Sequence, residues 1–131
     1  MNQYYDKVRD YLLELSYNIN HEDPADGLFV VSREEDGINN LVIFIAEPIL
    51  IMEQTIFELK QANAEVLKSL LIKNRDIVFG AFALDNEGQR VIFRDTLALE
   101  NLDLNELEGS INSLSLLLSE YGDEIIQFSK A

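Results

Sequence analysis

The sequence contains no cysteine, no tryptophan and a single histidine, and only two of its 131 residues are proline. The absence of cysteine excludes disulfide bonds, thiolate nucleophiles and thiolate metal ligands, and it fits a protein of the reducing cytoplasm. Few prolines and six glycines, beside 47% hydrophobic and 26% charged residues, exclude the disordered, low-complexity and collagen-like classes. We therefore expect a folded, soluble, cytoplasmic protein.

Basic residues are also scarce, since ten Lys and Arg stand against 24 Asp and Glu and give a formal net charge of −14. Such a surface repels phosphate groups, so neither nucleic acid nor an anionic membrane is an expected partner. The longest apolar run, residues 41–52, is interrupted by Glu47 and Pro48 and is shorter than the roughly 20 residues that span a bilayer. The charge favours a partner that is neutral or basic, or one that binds through apolar contacts.

The hydrophobic pattern changes period along the chain and predicts three helices and five strands. The helices are expected at residues 2–18, 63–75 and from 103 to about 126, where Asn63 and Asp103 are the predicted N-caps. The strands are expected at 28–32, 38–46, 49–59, 77–84 and 90–97, and residues 21–27 are expected to form a loop. Asp85 and Gly88 mark the turn of the last hairpin.

The resulting order, α-β-β-β-α-β-β-α, predicts a single α+β domain over residues 1–131. Short connections favour a mainly antiparallel sheet covered by helices. The last helix has apolar residues at spacings of three and four over about three heptads. This spacing fits a coiled coil or packing across a sheet, and the limited length favours the sheet.

No arrangement of residues indicates catalysis. His21 lies among Glu22, Asp23 and Asp26, but one imidazole beside carboxylates is a weak zinc signal, and a solvated loop explains it. The serines of the last helix lack a G-x-S-x-G motif, and no glycine-rich phosphate loop is present. We expect no catalytic residue, no metal and no cofactor, and hence a protein that is not an enzyme.

The first predicted helix carries Tyr4, Tyr5, Tyr11 and Tyr17. Tyrosine is enriched at protein interfaces, although core packing is the alternative. Tyr4 and Tyr11 follow the apolar stripe, whereas Tyr5 lies about 100° around the helix from Tyr4 and is expected to be exposed. Tyr4, Tyr5 and Tyr11 are therefore candidate partner-binding residues.

The second half of the chain has a recognisable pattern. Residues 74–85 read Asn-Arg-Asp-Ile-Val-Phe-Gly-Ala-Phe-Ala-Leu-Asp, followed by Gly88, by Val-Ile-Phe-Arg at 91–94, by Leu97 and by Leu-Asp-Leu at 102–104. This pattern resembles the YbjN-like family of small bacterial proteins, which shares the fold of the type III secretion chaperones, such as the CesT-like Tir chaperone. The resemblance covers about residues 63–126, and the first part of the chain agrees with it in the order of its elements.

The resemblance implies a compact domain, often dimeric, whose chaperone relatives hold an unfolded segment of a partner against helix and sheet surfaces. It implies no catalytic residues, and it implies structural roles for the matched positions Gly80, Asp85, Gly88, Leu97 and Leu104. By the same analogy, Leu67, Leu70 and Leu71 of the second helix are the candidates for a homodimer interface, unless they simply cover the sheet.

We therefore expect a chaperone-like binder that holds another protein through an apolar helix surface or by adding a partner strand to a sheet edge. A regulatory adaptor that recognises a folded signalling partner is the main alternative. A small-ligand binder or an enzyme of an unrecognised type would instead show a pocket with converging polar groups.

Overall fold

The computed structural model describes residues 3–131, and within them three helices and six strands form one α+β unit. The helices are α1 (Gln3–Glu14), α2 (Ala64–Lys73) and α3 (Leu104–Lys130), and the strands are β1 (Asn18–Asp23), β2 (Leu28–Arg33), β3 (Ile38–Ala46), β4 (Ile49–Glu58), β5 (Ala81–Leu84) and β6 (Arg90–Ala98). The strands form one antiparallel sheet in the order β1-β2-β3-β4-β6-β5. The predicted α+β fold class is confirmed.

Side-chain caps fix the starts of α2 and α3. The Asn63 side chain accepts a hydrogen bond from the Val66 N–H at 3.2 Å, and the Asp103 carboxylate accepts one from the Glu106 N–H at 2.8 Å. Each cap satisfies a backbone donor that the first turn of a helix leaves without a partner. Both predicted helix starts are confirmed, whereas the predicted start of α1 at Asn2 lies outside the described residues.

The sheet has one strand more than the sequence predicted. The segment predicted as a loop at residues 21–27 overlaps β1, which runs from Asn18 to Asp23 and pairs with β2. Most of its side chains are polar and exposed or half-buried. Strand β1 lies at the rim of the sheet and is held by hydrogen bonds to β2, so its side chains need not be buried. It therefore lacks the apolar alternation that identifies a strand in a sequence.

The fifth strand starts later than predicted, at Ala81 rather than Ile77. The residues before it cross to α3, where the Ser113 hydroxyl donates to the Phe79 carbonyl at 2.7 Å and accepts from the Phe79 N–H at 3.3 Å. These bonds replace sheet pairing for this part of the chain. We call residues 77–80 the β5 connector.

The fully buried side chains of the central strands point to one face of the sheet. Phe29, Ile43 and Met52 are cross-strand neighbours on that face. Tyr5 of α1 stacks on Phe29, with ring centroids 4.4 Å apart, and the Ser110 hydroxyl of α3 lies 3.2 Å from the Met52 sulfur. Helices α1 and α3 therefore cover the same face, and α3 packs across the sheet as its length suggested.

Two matched glycines and Asp85 have the structural roles that the resemblance implied. Gly88 has a φ of +71° in the β5–β6 turn, and the Asp85 carboxylate accepts bonds from the N–H groups of Arg90 and Gln89. These two donors hold the pKa of the Asp85 carboxyl below its usual range. Gly80 ends the β5 connector with a φ of +79°.

We expect Gly80→Ala to destabilise the fold by about 2–4 kcal/mol. A Cβ at Gly80 would lie 2.6 Å from the Phe93 ring in addition to adopting a positive φ. At Gly88 the φ is +71°, but no atom lies within 4 Å of the place that a Cβ would occupy, so Gly88→Ala should cost only about 1–2 kcal/mol. Urea unfolding of the two variants checks the difference, and equal losses would contradict the contact with Phe93.

Candidate binding surfaces

The face of the sheet opposite α1 and α3 carries a cluster of apolar side chains. Successive side chains of a strand point to opposite faces, so the residues that alternate with the buried core positions point away from these helices. The register places Leu28, Phe44 and Ile51 in one row across β2, β3 and β4, and Val30 and Val42 in the next. We call these five residues the open-face patch.

The open-face patch is partly accessible to solvent. Phe44 is 38% exposed and Val42 is 37% exposed, whereas Leu28, Val30 and Ile51 are half-buried by their neighbours. An apolar cluster on several adjacent strands differs from scattered surface apolar residues, because it offers a continuous contact surface. This patch was not identified from the sequence.

Charged groups border the patch. On β4 and β6, Glu53 and Arg94 lie beside Val42 on the same face and form a salt bridge with a nitrogen–oxygen distance of 2.8 Å. Asp23 on β1 is the cross-strand neighbour of Leu28. Within residues 3–131, five of the ten basic residues form salt bridges with acidic ones, so acidic side chains strongly outnumber basic ones among the remaining charges.

A second apolar surface lies between α2 and the β5–β6 hairpin. It is a groove of about 270 Å³, lined by residues that include Leu67, Leu70, Leu71, Phe82 and Leu84. Leu71 is 68% exposed and Leu84 is 44% exposed, whereas Leu70 is buried. All three candidates for a dimer interface line this groove, but Leu70 is buried within its own chain, so Leu67 and Leu71 are the two that a second copy could contact.

The structure separates the three tyrosines proposed for partner binding. Tyr5 is 2% exposed, so the expectation that it is exposed is wrong: Tyr5, Val8 and Leu12 form the buried stripe of α1. Burial raises the pKa of the Tyr5 hydroxyl, with a further contribution from the Glu22 carboxylate. Tyr4 and Tyr11 flank this stripe and pack against the core while half-buried.

The residues considered for chemistry lie apart from one another. His21 is exposed on β1, and the described part of the chain has no group of three or more His, Asp or Glu residues that could hold a metal ion. On α3, Ser110 donates a hydrogen bond to the Asp95 carboxylate and Ser115 donates one to the Asp36 carbonyl at 2.8 Å. These hydroxyls anchor α3 to the sheet and to the β2–β3 connection.

None of the helices in residues 3–131 is long and apolar enough to cross a membrane. A search of curated proteins found no match. Among solved structures, YbjN from E. coli matches with a TM-score of 0.69 and 13% identity over 91% of each chain. Identity at this level shows a shared fold and no more.

Chains from two complexes have the same fold. The ExsC–ExsE complex matches with a TM-score of 0.65 and 13% identity, over 92% of this chain and 94% of the other. The Yersinia pestis type III secretion chaperone SycH, in complex with a fragment of YscM2, matches with a TM-score of 0.57 and 18% identity over 97% and 100%. The sequence itself is matched over residues 1–131 by the model of the CesT_Tir_1 family, and the chain therefore belongs to that family.

Proposed function

We propose that this protein is a non-enzymatic, chaperone-like module of the cytoplasm that holds a segment of another protein on the open face of its sheet. The observation that carries the proposal is the open-face patch, in which five apolar side chains of three adjacent strands lie on the face opposite α1 and α3. A sheet face of this kind is normally buried against a helix or another sheet.

The charge of the protein favours a particular occupant. A partner segment with apolar residues on one side and neutral or basic residues on the other would meet both the patch and the net negative charge of the protein. We therefore propose an amphipathic segment of a different protein as the occupant.

The comparisons are consistent with this role. The SycH structure holds a type III secretion chaperone with a fragment of another protein, and a further match, with a TM-score of 0.64, comes from the HopA1–SchA chaperone–effector complex. The fold of this chain is therefore one that is used to bind polypeptide segments.

A site-specific crosslinking experiment tests the proposal. A photoreactive phenylalanine analogue replaces Phe44 in one variant and Ile126, which is 55% exposed on α3, in the control. In cells of the native host we expect position 44 to crosslink one defined segment of a partner, and position 126 to give no such product. A synthetic peptide of that segment should then bind the purified protein.

The state of the partner distinguishes the two candidate roles. A chaperone-like module should crosslink to a segment that is protease-sensitive in the free partner and protected in the complex. A regulatory adaptor should crosslink to a partner that is folded before and after binding. Equal products at positions 44 and 126, or none at 44, would contradict binding at the open face.

We further propose that the protein forms a homodimer through the groove between α2 and the β5–β6 hairpin. Leu71, at 68% exposure, and Leu67 would then be buried against the same groove of a second copy. We expect Leu71→Glu to raise the dimer dissociation constant at least about 30-fold, as for loss of an interface anchor. Sedimentation equilibrium measures this change, and an unchanged constant, or a monomeric wild-type protein, would contradict the interface.

A further inference from the structure

The side chain of Asn74 occupies the free edge of the sheet at β5. Asn74 begins the short 3₁₀ turn that follows α2. Its Oδ1 atom accepts a hydrogen bond from the Phe82 N–H at 2.8 Å, and its Nδ2 atom donates one to the Phe82 carbonyl at 3.2 Å. An added strand would supply the same pair of groups, because an amide side chain has the same donor and acceptor as a peptide group.

These two bonds engage the central part of a very short edge. Strand β5 is outermost in the sheet, pairs only with β6 and has four residues, Ala81–Leu84. In an antiparallel pair, alternate residues direct their N–H and C=O groups toward and away from the neighbouring strand. In β5, the backbone N–H and C=O groups of Phe82 and Leu84 point outward, away from β6. Because Asn74 bonds to those of Phe82, only those of Leu84 are left to pair with a further strand.

The opposite edge of the sheet has no comparable cover. Strand β1 is six residues long and pairs only with β2. Among residues 3–131, no side chain or connecting segment donates to or accepts from the backbone of Asn18–Asp23. The two edges of the sheet therefore differ in whether a further strand can be added.

We propose that Asn74 closes the β5 edge against strand pairing, chiefly with β5 of a second copy of this chain. Exposed edge strands associate with one another unless a structural feature blocks them, and here the block is a side-chain amide. With the β5 edge closed, a second copy can associate on this side only through side-chain contacts in the groove between α2 and the β5–β6 hairpin. Any strand added to the sheet is then directed to β1.

The test compares Asn74→Ala with Asn63→Ala. Asn63→Ala is the control. It removes the N-cap of α2, the helix that precedes Asn74, and so lowers stability without opening a strand edge. In the wild-type protein we expect the Phe82 amide to exchange with deuterium at least about tenfold more slowly than the outward-facing Leu84 amide. Asn74→Ala should lose the protection of the Phe82 amide. In sedimentation velocity it should also form larger species than the wild type as its concentration rises. Asn63→Ala should show neither change.

A further substitution separates edge pairing from destabilisation. Leu84→Pro removes the remaining outward N–H of β5, so adding it to Asn74→Ala should reverse the association. A folded Asn74→Ala that sediments like the wild type would overturn the proposal, and so would equal association of Asn63→Ala. If Asn74→Ala fails to fold, the wild-type protein decides: equal deuterium-exchange rates of the Phe82 and Leu84 amides would overturn the proposal. All of these measurements use the protein alone, so they are independent of whether the open face binds a partner.

Discussion

Tyr5→Asp is expected to unfold the domain rather than to remove a surface contact. The Tyr5 ring is 2% exposed and stacks on Phe29 with centroids 4.4 Å apart. Loss of a buried aromatic side chain costs about 3–5 kcal/mol, and the carboxylate would add the cost of burying a charge without a partner. The sum is comparable with the total stability of a small domain, about 5–15 kcal/mol. Circular dichroism and urea unfolding at neutral pH measure the loss.

Leu13→Asp is the matched control for this substitution. Leu13 lies on the same helix but is 48% exposed. Its replacement should cost about 1 kcal/mol or less, most of it from a negative charge in the last turn of α1. If the two variants unfolded at the same urea concentration, the packing of Tyr5 against Phe29 would be wrong.

The misplaced Tyr5 shows a limit of periodicity in a short helix. The predicted stripe runs through Tyr4, Val8, Tyr11, Leu12 and Leu15, and the buried stripe runs through Tyr5, Val8 and Leu12; both have spacings of three and four. The two stripes share Val8 and Leu12, but the buried one includes Tyr5, which lies about 100° around the helix axis from Tyr4. The sequence predicts that the helix is amphipathic, but the direction of its buried face depends on what it packs against, here Phe29.

Local chemistry predicted other elements well, because the deciding contacts lie close in sequence. Asn63 and Asp103 bond to N–H groups three residues later, and the β5–β6 turn is held by Asp85 and Gly88. Strand β1 was misassigned because its mostly polar side chains lack apolar alternation. The β5 connector was misassigned because its partner, Ser113 of α3, is distant in sequence.

The open-face patch could not be predicted from the sequence for a related reason. In β3 the buried Leu41, Ile43 and Ile45 alternate with Val42 and Phe44, so the strand reads as one continuous apolar run. Such a run predicts a strand that is buried on both faces. The exposed patch became visible only when the positions of α1 and α3 on one face were known.

The second large effect is expected for the double substitution Val42→Thr and Phe44→Thr, which should weaken binding of the partner segment at least about 100-fold. Loss of one well-placed apolar anchor costs about 2 kcal/mol or more, and these two residues are the most exposed of the patch. Threonine is β-branched and suits a strand, so the fold should be retained. Isothermal titration calorimetry with a synthetic peptide of the partner segment, identified by its crosslink to position 44, measures the affinity.

The matching control is Leu116→Gln with Ile126→Gln, which removes two exposed apolar side chains from α3 instead of the sheet. This variant should bind like the wild type, because α3 covers the opposite face. Raising the salt concentration from about 0.05 M to about 0.5 M should weaken wild-type binding if the segment is basic, since exposed charges are screened over shorter distances. Equal losses in the two double variants would show that surface hydrophobicity in general, and not the open face of the sheet, determines binding.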